Sequence, residues 1–375
     1  MATQTRHDQR SDSQSPDRDP VLVAPWDHGG TVEVSLALAG SGGLVERRTF
    51  LFLTGAALTV PAHQWLVHEP EPLVAALKGD RVTPMLVDRL PPMIAELRAI
   101  DNGAGGGQVR SLAEHEFSWV AGLLDRGSYD EATGRKLHVA LAELGRVAGY
   151  MAYDMDDHGR AQRYYITALR AAHAADDRAL GANILSCMAR QAVELDRPAE
   201  GVTLAETALA GIRTAAMPKL HARLRDSLAY GQAKLGDEPA FRRTNKLAWQ
   251  ALERADADEP DWLSSISPAV LAADTGQHHL MLGKAKEAEP MICQALDGLE
   301  PGMVRTRQLW SCALAKARLR AGNVDGAVSA GWQALEISAG LSSARSTARL
   351  RSLCQEMRPH RRVPEVQEFL ERAHS

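Results

Sequence analysis

The chain has 375 residues, of which 45% are hydrophobic and 5% aromatic, and its formal net charge is −4. That apolar content supports a folded core, and the slight acidic balance gives no general attraction to nucleic acid or to an anionic membrane surface. No apolar run reaches the ~20 residues that would span a bilayer. The four cysteines (Cys187, Cys293, Cys312 and Cys354) are scattered through apolar helical patterns, as expected of reduced, buried thiols in a cytoplasmic protein.

Residues 1–20 are polar and charged and bury too little to offset ordering entropy, so a disordered tail is expected. Residues 21–80 read as a linker. Within it Val32, Val34, Leu36 and Leu38 alternate with Thr31, Glu33, Ser35 and Ala37, which is strand spacing. A lone strand has no partner in an otherwise helical chain, so a helix or an irregular linker fits as well. Arg47-Arg48-Thr49-Phe50-Leu51 then leads into the apolar stretch 52–60 and Pro61-Ala62-His63. Paired arginines, a moderate apolar core and Val60-Pro61-Ala62 have the form of a twin-arginine export signal cleaved near Ala62. Against export stand Glu46 beside the pair, the 46 residues before it, and the lack of a disulfide framework. The competing reading is a hydrophobic linker helix that docks on the first helices of the following array.

Residues 81–100 and 108–125 read as two amphipathic helices, a leading pair within 81–130, with the glycine-rich 102–107 as a flexible connector. On the second, Leu112, Phe117, Trp119, Val120, Leu123 and Leu124 make a broad apolar face. From 131 to 340 one pattern recurs: a Gly/Asp/Pro turn, a small residue, a residue four later and an Ala three beyond. It occurs as Ala161/Tyr165/Ala168, Gly201/Ala205/Ala208, Phe241/Asn245/Ala248, Ala288/Ile292/Ala295 and Ala327/Gly331/Ala334, at intervals of 40, 40, 47 and 39 residues. Each has a small counterpart upstream: Gly149, Ala189, Ala229, Gly276 and Ala315. Tiny side chains at both places let two antiparallel helices cross closely. The third unit has Phe241 where a small residue is expected, with Ala240 as the rival anchor. A linker at 256–268, carrying Trp262 and two prolines, accounts for the long interval. Residues 344–357 and 363–373 form a capping pair within 341–375, its Arg and Glu facing solvent. The expected fold is all-α: a tetratricopeptide-like superhelical array of antiparallel helix pairs.

The run from Arg47 onward resembles the C-terminal part of the actinobacterial helix-turn-helix/tetratricopeptide transcriptional regulators. The resemblance rests on the Arg47–Leu51 motif, Leu53-Thr54-Gly55-Ala56-Ala57-Leu58, Pro61-Ala62-His63-Gln64-Trp65-Leu66 and Trp119-Val120-Ala121-Gly122-Leu123-Leu124-Asp125. Arg163-Tyr164-Tyr165, Leu185-Ser186-Cys187-Met188-Ala189, Val363-Pro364-Glu365-Val366 and Phe369-Leu370-Glu371-Arg372-Ala373 extend it. It implies an internal linker, not a leader, around the paired arginines. In typical members a DNA-binding domain of ~60 residues precedes this part; here 46 residues do, without a basic reading helix. The implied protein is a cytoplasmic, non-enzymatic regulatory module with a protein or peptide ligand. A separate DNA-binding partner is implied, and homo-oligomerisation stays open. Direct binding to DNA is the remaining alternative.

Asp154-Met155-Asp156-Asp157-His158-Gly159 opens like a calcium loop, but position 12 is Tyr165 and the segment is a helix–helix turn. His278-His279 diverge by ~100° on a helix and cannot share a metal. No metal or cofactor is expected, and no phosphate loop, dinucleotide fingerprint or nucleophile elbow occurs. Counting from the small-residue anchors places Glu143, Arg146, Tyr150, Tyr153, Asn183, Ser186, Arg190, Arg223, Asp226, Tyr230, Cys312 and Lys316 on the concave face. Arg, Asn and Tyr there would suit a peptide's carboxylates, amides and apolar side chains.

Overall fold

The structure, a computed structural model, describes residues 19–40, 52–255 and 259–374. Of the tail expected at 1–20, residues 1–18 lie outside them, as does the Arg47-Arg48 motif, whereas Asp19 and Pro20 begin the first helix. The described chain is helical apart from two-residue strands β1 (Asp80–Arg81) and β2 (Gly127–Ser128), which pair in parallel. In chain order come α1 (Pro20–Val23), α2 (His28–Gly40), α3 (Ala56–Val67), α4 (Pro84–Val87), α5 (Leu90–Ala104) and α6 (Arg110–Arg126). Five hairpins follow: α7 (Glu131–Asp154) with α8 (His158–Ala174), α9 (Arg178–Glu194) with α10 (Pro198–Gly211), and α11 (Pro218–Lys234) with α12 (Glu238–Leu252). The last two are α13 (Pro268–Met281) with α14 (Ala285–Asp297), and α15 (Val304–Arg320) with α16 (Val324–Ser338). The chain ends on α17 (Ala344–Met357) and α18 (Pro364–His374).

The recurring small residues sit where the hairpins close. A Cβ on Gly149 would lie 2.7 Å from the Tyr165 ring, and Ala161, Ala189, Ala229, Ala288, Ala315 and Ala327 are all fully buried. In the third hairpin Phe241, not Ala240, turns inward, 1% exposed, with its ring edge-on to His278 and His279 of α13. A large side chain is accommodated because two imidazoles, rather than a neighbouring backbone, stand opposite it. Asp156, Asp176 and Asp196 end α7, α8 and α9 with positive φ, and Asp157 and Asp177 then cap the next helices. Turn chemistry thus uses up the acidic run that opens like a calcium loop.

The segment expected to be a linker is instead an outer layer. The 31–38 stretch is the helix α2, which buries Thr31, Val34, Ser35 and Leu38 against α6 and α8. That is a spacing of three and four, so the even-numbered alternation is incidental. Two arginines hold this layer by the same device, donating to the carbonyls at helix ends. Arg170 donates to the carbonyls of Val21 (3.1 Å), Ala24 (2.8 Å) and Pro25 (2.7 Å) beneath the Trp26 ring. Arg178 donates to those of Trp65, Leu66 and His68 at the end of α3. Trp65 itself is fully buried between α9 and α10: a Cβ on Gly181 would stand 2.3 Å from its Nε1, and one on Gly211 2.2 Å from its ring. The Ala62–His63 bond lies inside α3, and Ala62 is 1% exposed. No helix among the described residues is long and apolar enough to cross a membrane.

Trp65→Ala should cost about 3–5 kcal/mol in chemical denaturation and open α3 to protease. A second prediction concerns α2, whose His28 Nδ1 lies 3.0 Å from His138 Nε2, while His138 Nδ1 faces the Gly134 carbonyl at 2.8 Å. Nδ1–H of His138 therefore donates and its Nε2 accepts from His28, so both rings are neutral; the neighbouring Asp27 is the one acid that favours charge on His28. Burial pushes His138 down to about 4, from an ordinary 6.5. Its contribution to stability is complete above pH 6.5 and lost as pH falls through 4, on the order of 3 kcal/mol. Denaturation measured between pH 7 and 4 should show this loss, and His138→Gln should flatten the slope.

Candidate functional site

The first helix of each hairpin turns its less apolar face inward, and the chain closes on itself around that face. Arg305 of α15 makes a two-pronged ion pair with Asp101 of α5, both contacts 2.8 Å, and reaches Asp154 of α7 at 3.3 Å. Beside it, the Ser342 amide donates to the Ala104 carbonyl at 2.9 Å and the Gly107 amide to the Ser342 carbonyl at 3.1 Å. The glycine-rich segment is therefore a packed junction and not a flexible connector: α5 runs on to Ala104, and a Cβ on Gly107 would meet Ser342 Oγ at 2.2 Å.

Inside this closure lies a cavity of about 530 Å³ lined from α5, α7, α9, α11, α13, α15 and α17. Its charged lining is six arginines (Arg98, Arg146, Arg190, Arg223, Arg345, Arg349) and four acids (Asp101, Glu194, Asp261, Asp274), with Tyr150, Trp262 and Trp310 as aromatic surface. A second cavity of about 520 Å³ adjoins it, sharing Gln277, Leu309 and Arg349.

Most of the arginines are held by a carboxylate. Arg98 donates to Glu143 at 2.7 Å, Arg349 to Glu194 at 3.1 Å, and Arg190 to Asp274 at 2.7 Å and Asp226 at 3.0 Å. Arg345 donates to the hydroxyls of Tyr150 (2.9 Å) and Tyr153 (3.3 Å) and pairs with Asp154 at 3.4 Å. Burial pushes Glu194 up, but Arg349 and Arg345 outweigh it and hold the carboxyl below its ordinary range. Burial and the neighbouring Asp274 drive Asp226 well above the carboxylate range, whereas Arg190 and His278 keep Asp274 below it against the burial. The pair thus shares one proton and presents one charge to Arg190. Arg223 donates from Nε to Ser186 Oγ at 2.8 Å. Arg146 has its Nε and Nη2 buried with no hydrogen-bond partner.

Of the residues expected on the concave face, Arg146, Tyr150, Arg190 and Arg223 line the cavity, and Cys312 and Lys316 line the adjoining one. The remainder stand behind the wall. Glu143 is the counter-ion of Arg98. Tyr153, Asn183, Ser186, Asp226 and Tyr230 are each no more than 5% exposed. These are supports and not ligand contacts: Arg345 of α17 covers Tyr153, Arg223 of α11 bonds Ser186, and His278 of α13 stacks on Tyr230. Tyr230 lies under the Arg190 guanidinium at 5.5 Å and stacks on His278. Counting by repeats overlooked Arg98, Asp101 and Trp262, which come from outside the array. It also overlooked Arg345 and Arg349, whose α17 reads as a solvent-facing cap but forms a wall. The i,i+4 spacing of Arg345 and Arg349 was the available signal.

The cysteines are unpaired; Cys187, Cys312 and Cys354 are buried, and burial pushes the Cys312 thiol up to about 12. Among the described residues no group of His, Cys, Asp and Glu is placed to hold a metal ion. No protein-family model matches the chain, and a search of curated proteins finds no match.

Asp226→Asn imitates the protonated acid and should change stability by less than about 1 kcal/mol. The double variant Asp226→Asn/Asp274→Asn leaves Arg190 buried without an anion and should cost about 3–5 kcal/mol, well beyond the sum of the single changes. Urea denaturation of the four proteins checks this.

Proposed function

We propose that this protein is a non-enzymatic regulatory module, a tetratricopeptide-type superhelical array that binds a peptide or the end of a protein chain. Its place is with the helix-turn-helix/tetratricopeptide transcriptional regulators that its sequence resembles, acting in the cytoplasm through a separate DNA-binding partner. The observation that carries the reading is the pair of adjoining cavities, open to solvent, where the inner helices of every hairpin converge. Their volumes suit a short peptide or a small molecule and are too small for a folded domain. Arginines fixed by carboxylates, with tyrosine and tryptophan surface between them, offer directed donors and apolar area at low entropic cost.

Regulation would work through closure. Tyr150 lines the cavity and also accepts from Arg345, which joins α17 to α7. A ligand against Tyr150 therefore touches the same groups that hold the two ends of the array together, and its preference for the closed state would shift the population presented to the partner.

The test is native mass spectrometry of the intact chain with a pooled random heptapeptide library, followed by calorimetry on the peptides retained. Tyr150→Ala should weaken them at least tenfold, about 1.4 kcal/mol. Unchanged affinity would remove the cavity as the binding site.

A further inference from the structure

Five of the six arginines around the main cavity have a partner of their own, and the sixth does not. Arg98, Arg190, Arg345 and Arg349 are each ion-paired, and Arg223 is hydrogen-bonded to Ser186 without a carboxylate within ion-pair distance among the described residues. Arg146 has neither a hydrogen bond nor an ion pair among the described residues, and two of its guanidinium nitrogens are out of contact with water. A half-buried guanidinium whose Nε and Nη2 have neither water nor a protein acceptor is costly, and folded proteins pair such groups. The lining as a whole carries six arginines against four acids. Glu143 and Asp154, behind the wall, serve Arg98 and Arg345, and Asp101 is taken by Arg305, so Arg146 and Arg223 are the two lining arginines without a carboxylate at ion-pair distance among the described residues.

We propose that Arg146, assisted by Arg223, receives a carboxylate of the ligand in the main cavity. This rests on the reading of that cavity as a ligand site and adds the chemistry of what enters it. A guanidinium meets a carboxylate through two parallel N–H···O bonds in one plane. A carboxylate is favoured over a phosphate monoester because Glu194 and Asp261 line the same space and repel a dianion more strongly than a monoanion. Tyr150 stands one helical turn beyond Arg146 on α7, so the group attached to the carboxylate would lie along its ring. The carboxylate could belong to a peptide C-terminus or to a free organic acid, and the two are separated by experiment.

The probes are a pool of hexapeptides with free C-termini, the same pool as C-terminal amides, and a set of monocarboxylic acids (benzoate, phenylacetate and N-acetyl amino acids). Each is mixed with the intact chain and read by native mass spectrometry. Retention of the free-acid peptides, at least tenfold weakened by amidation, assigns a peptide terminus; retention of the simple acids alone assigns an organic acid. Arg146→Gln should lower binding of the retained acids at least tenfold. Without ligand the same variant should unfold at the same or a higher temperature, because it removes a charge that the empty protein leaves unpaired. Equal retention of acid and amide pools would overturn the carboxylate assignment while leaving the cavity a ligand site. Retention of no acid from either source would overturn it too, as would a fall of several degrees in the unfolding temperature of Arg146→Gln.

Discussion

Arg305 is 1% exposed, yet it carries a full charge and sits between two carboxylates, Asp101 and Asp154, that precede it by 204 and 151 residues. Withdrawing a guanidinium from water costs several kcal/mol, and only close, well-directed partners offset it. Two contacts of 2.8 Å to one carboxylate and a third carboxylate oxygen at 3.3 Å meet that requirement. With Arg305 in place α5, α7 and α15 are held together; without it, two buried acids would face each other. An array whose hairpins touch only their neighbours would stay open. This one is drawn shut by an ion pair across its ends, and the central cavity is a consequence.

The closure also gathers charged side chains from several helices around the cavity. Contacts between the two helices of a hairpin are made largely by alanine, glycine and a few large apolar side chains, with isolated polar ones such as Gln308 to Ser338. The inner faces carry the arginines, tyrosines and acids, and every lining arginine except Arg146 is fixed by a neighbour on another helix. On the outside, Arg170 and Arg178 use the same residue type for another purpose, accepting no anion and capping helix ends that cover α8 and α10. The N-terminal layer thus stiffens the second helices while the first helices remain available to the cavity. A ligand between them would act on groups that are already strongly coupled, such as Arg345 with Tyr150, Tyr153 and Asp154.

The hairpins were legible in the sequence because helix crossing leaves a local mark. Gly149 and Ala161, or Ala189 and Gly201, are small for reasons that depend on residues a dozen positions away. The cavity was legible in part: Arg146, Tyr150, Arg190 and Arg223 follow from helical counting alone. What closes the cavity was not, since nothing near Arg305 in the chain points to Asp101, and nothing near Arg345 to Tyr150. Helical counting turns Tyr153 toward the groove for the same reason, as its cover, Arg345, comes from a distant helix. Along α2 strand and helix both fit the sequence, because Val32 and Val34 match a period of two over a stretch too short to distinguish it from 3.6.

Closure can be measured directly by placing cysteines at Gly107 and Ser342, positions whose side chains would be in contact though they lie 235 residues apart in the sequence. In Gly107→Cys/Ser342→Cys, mild oxidation of the folded protein should form an intramolecular disulfide rapidly and nearly completely, detected by peptide mapping, with helicity unchanged. A chain in which those cysteines remain reduced, or bond only after denaturation, would have open ends in solution, and the cavity with its ligand would not stand.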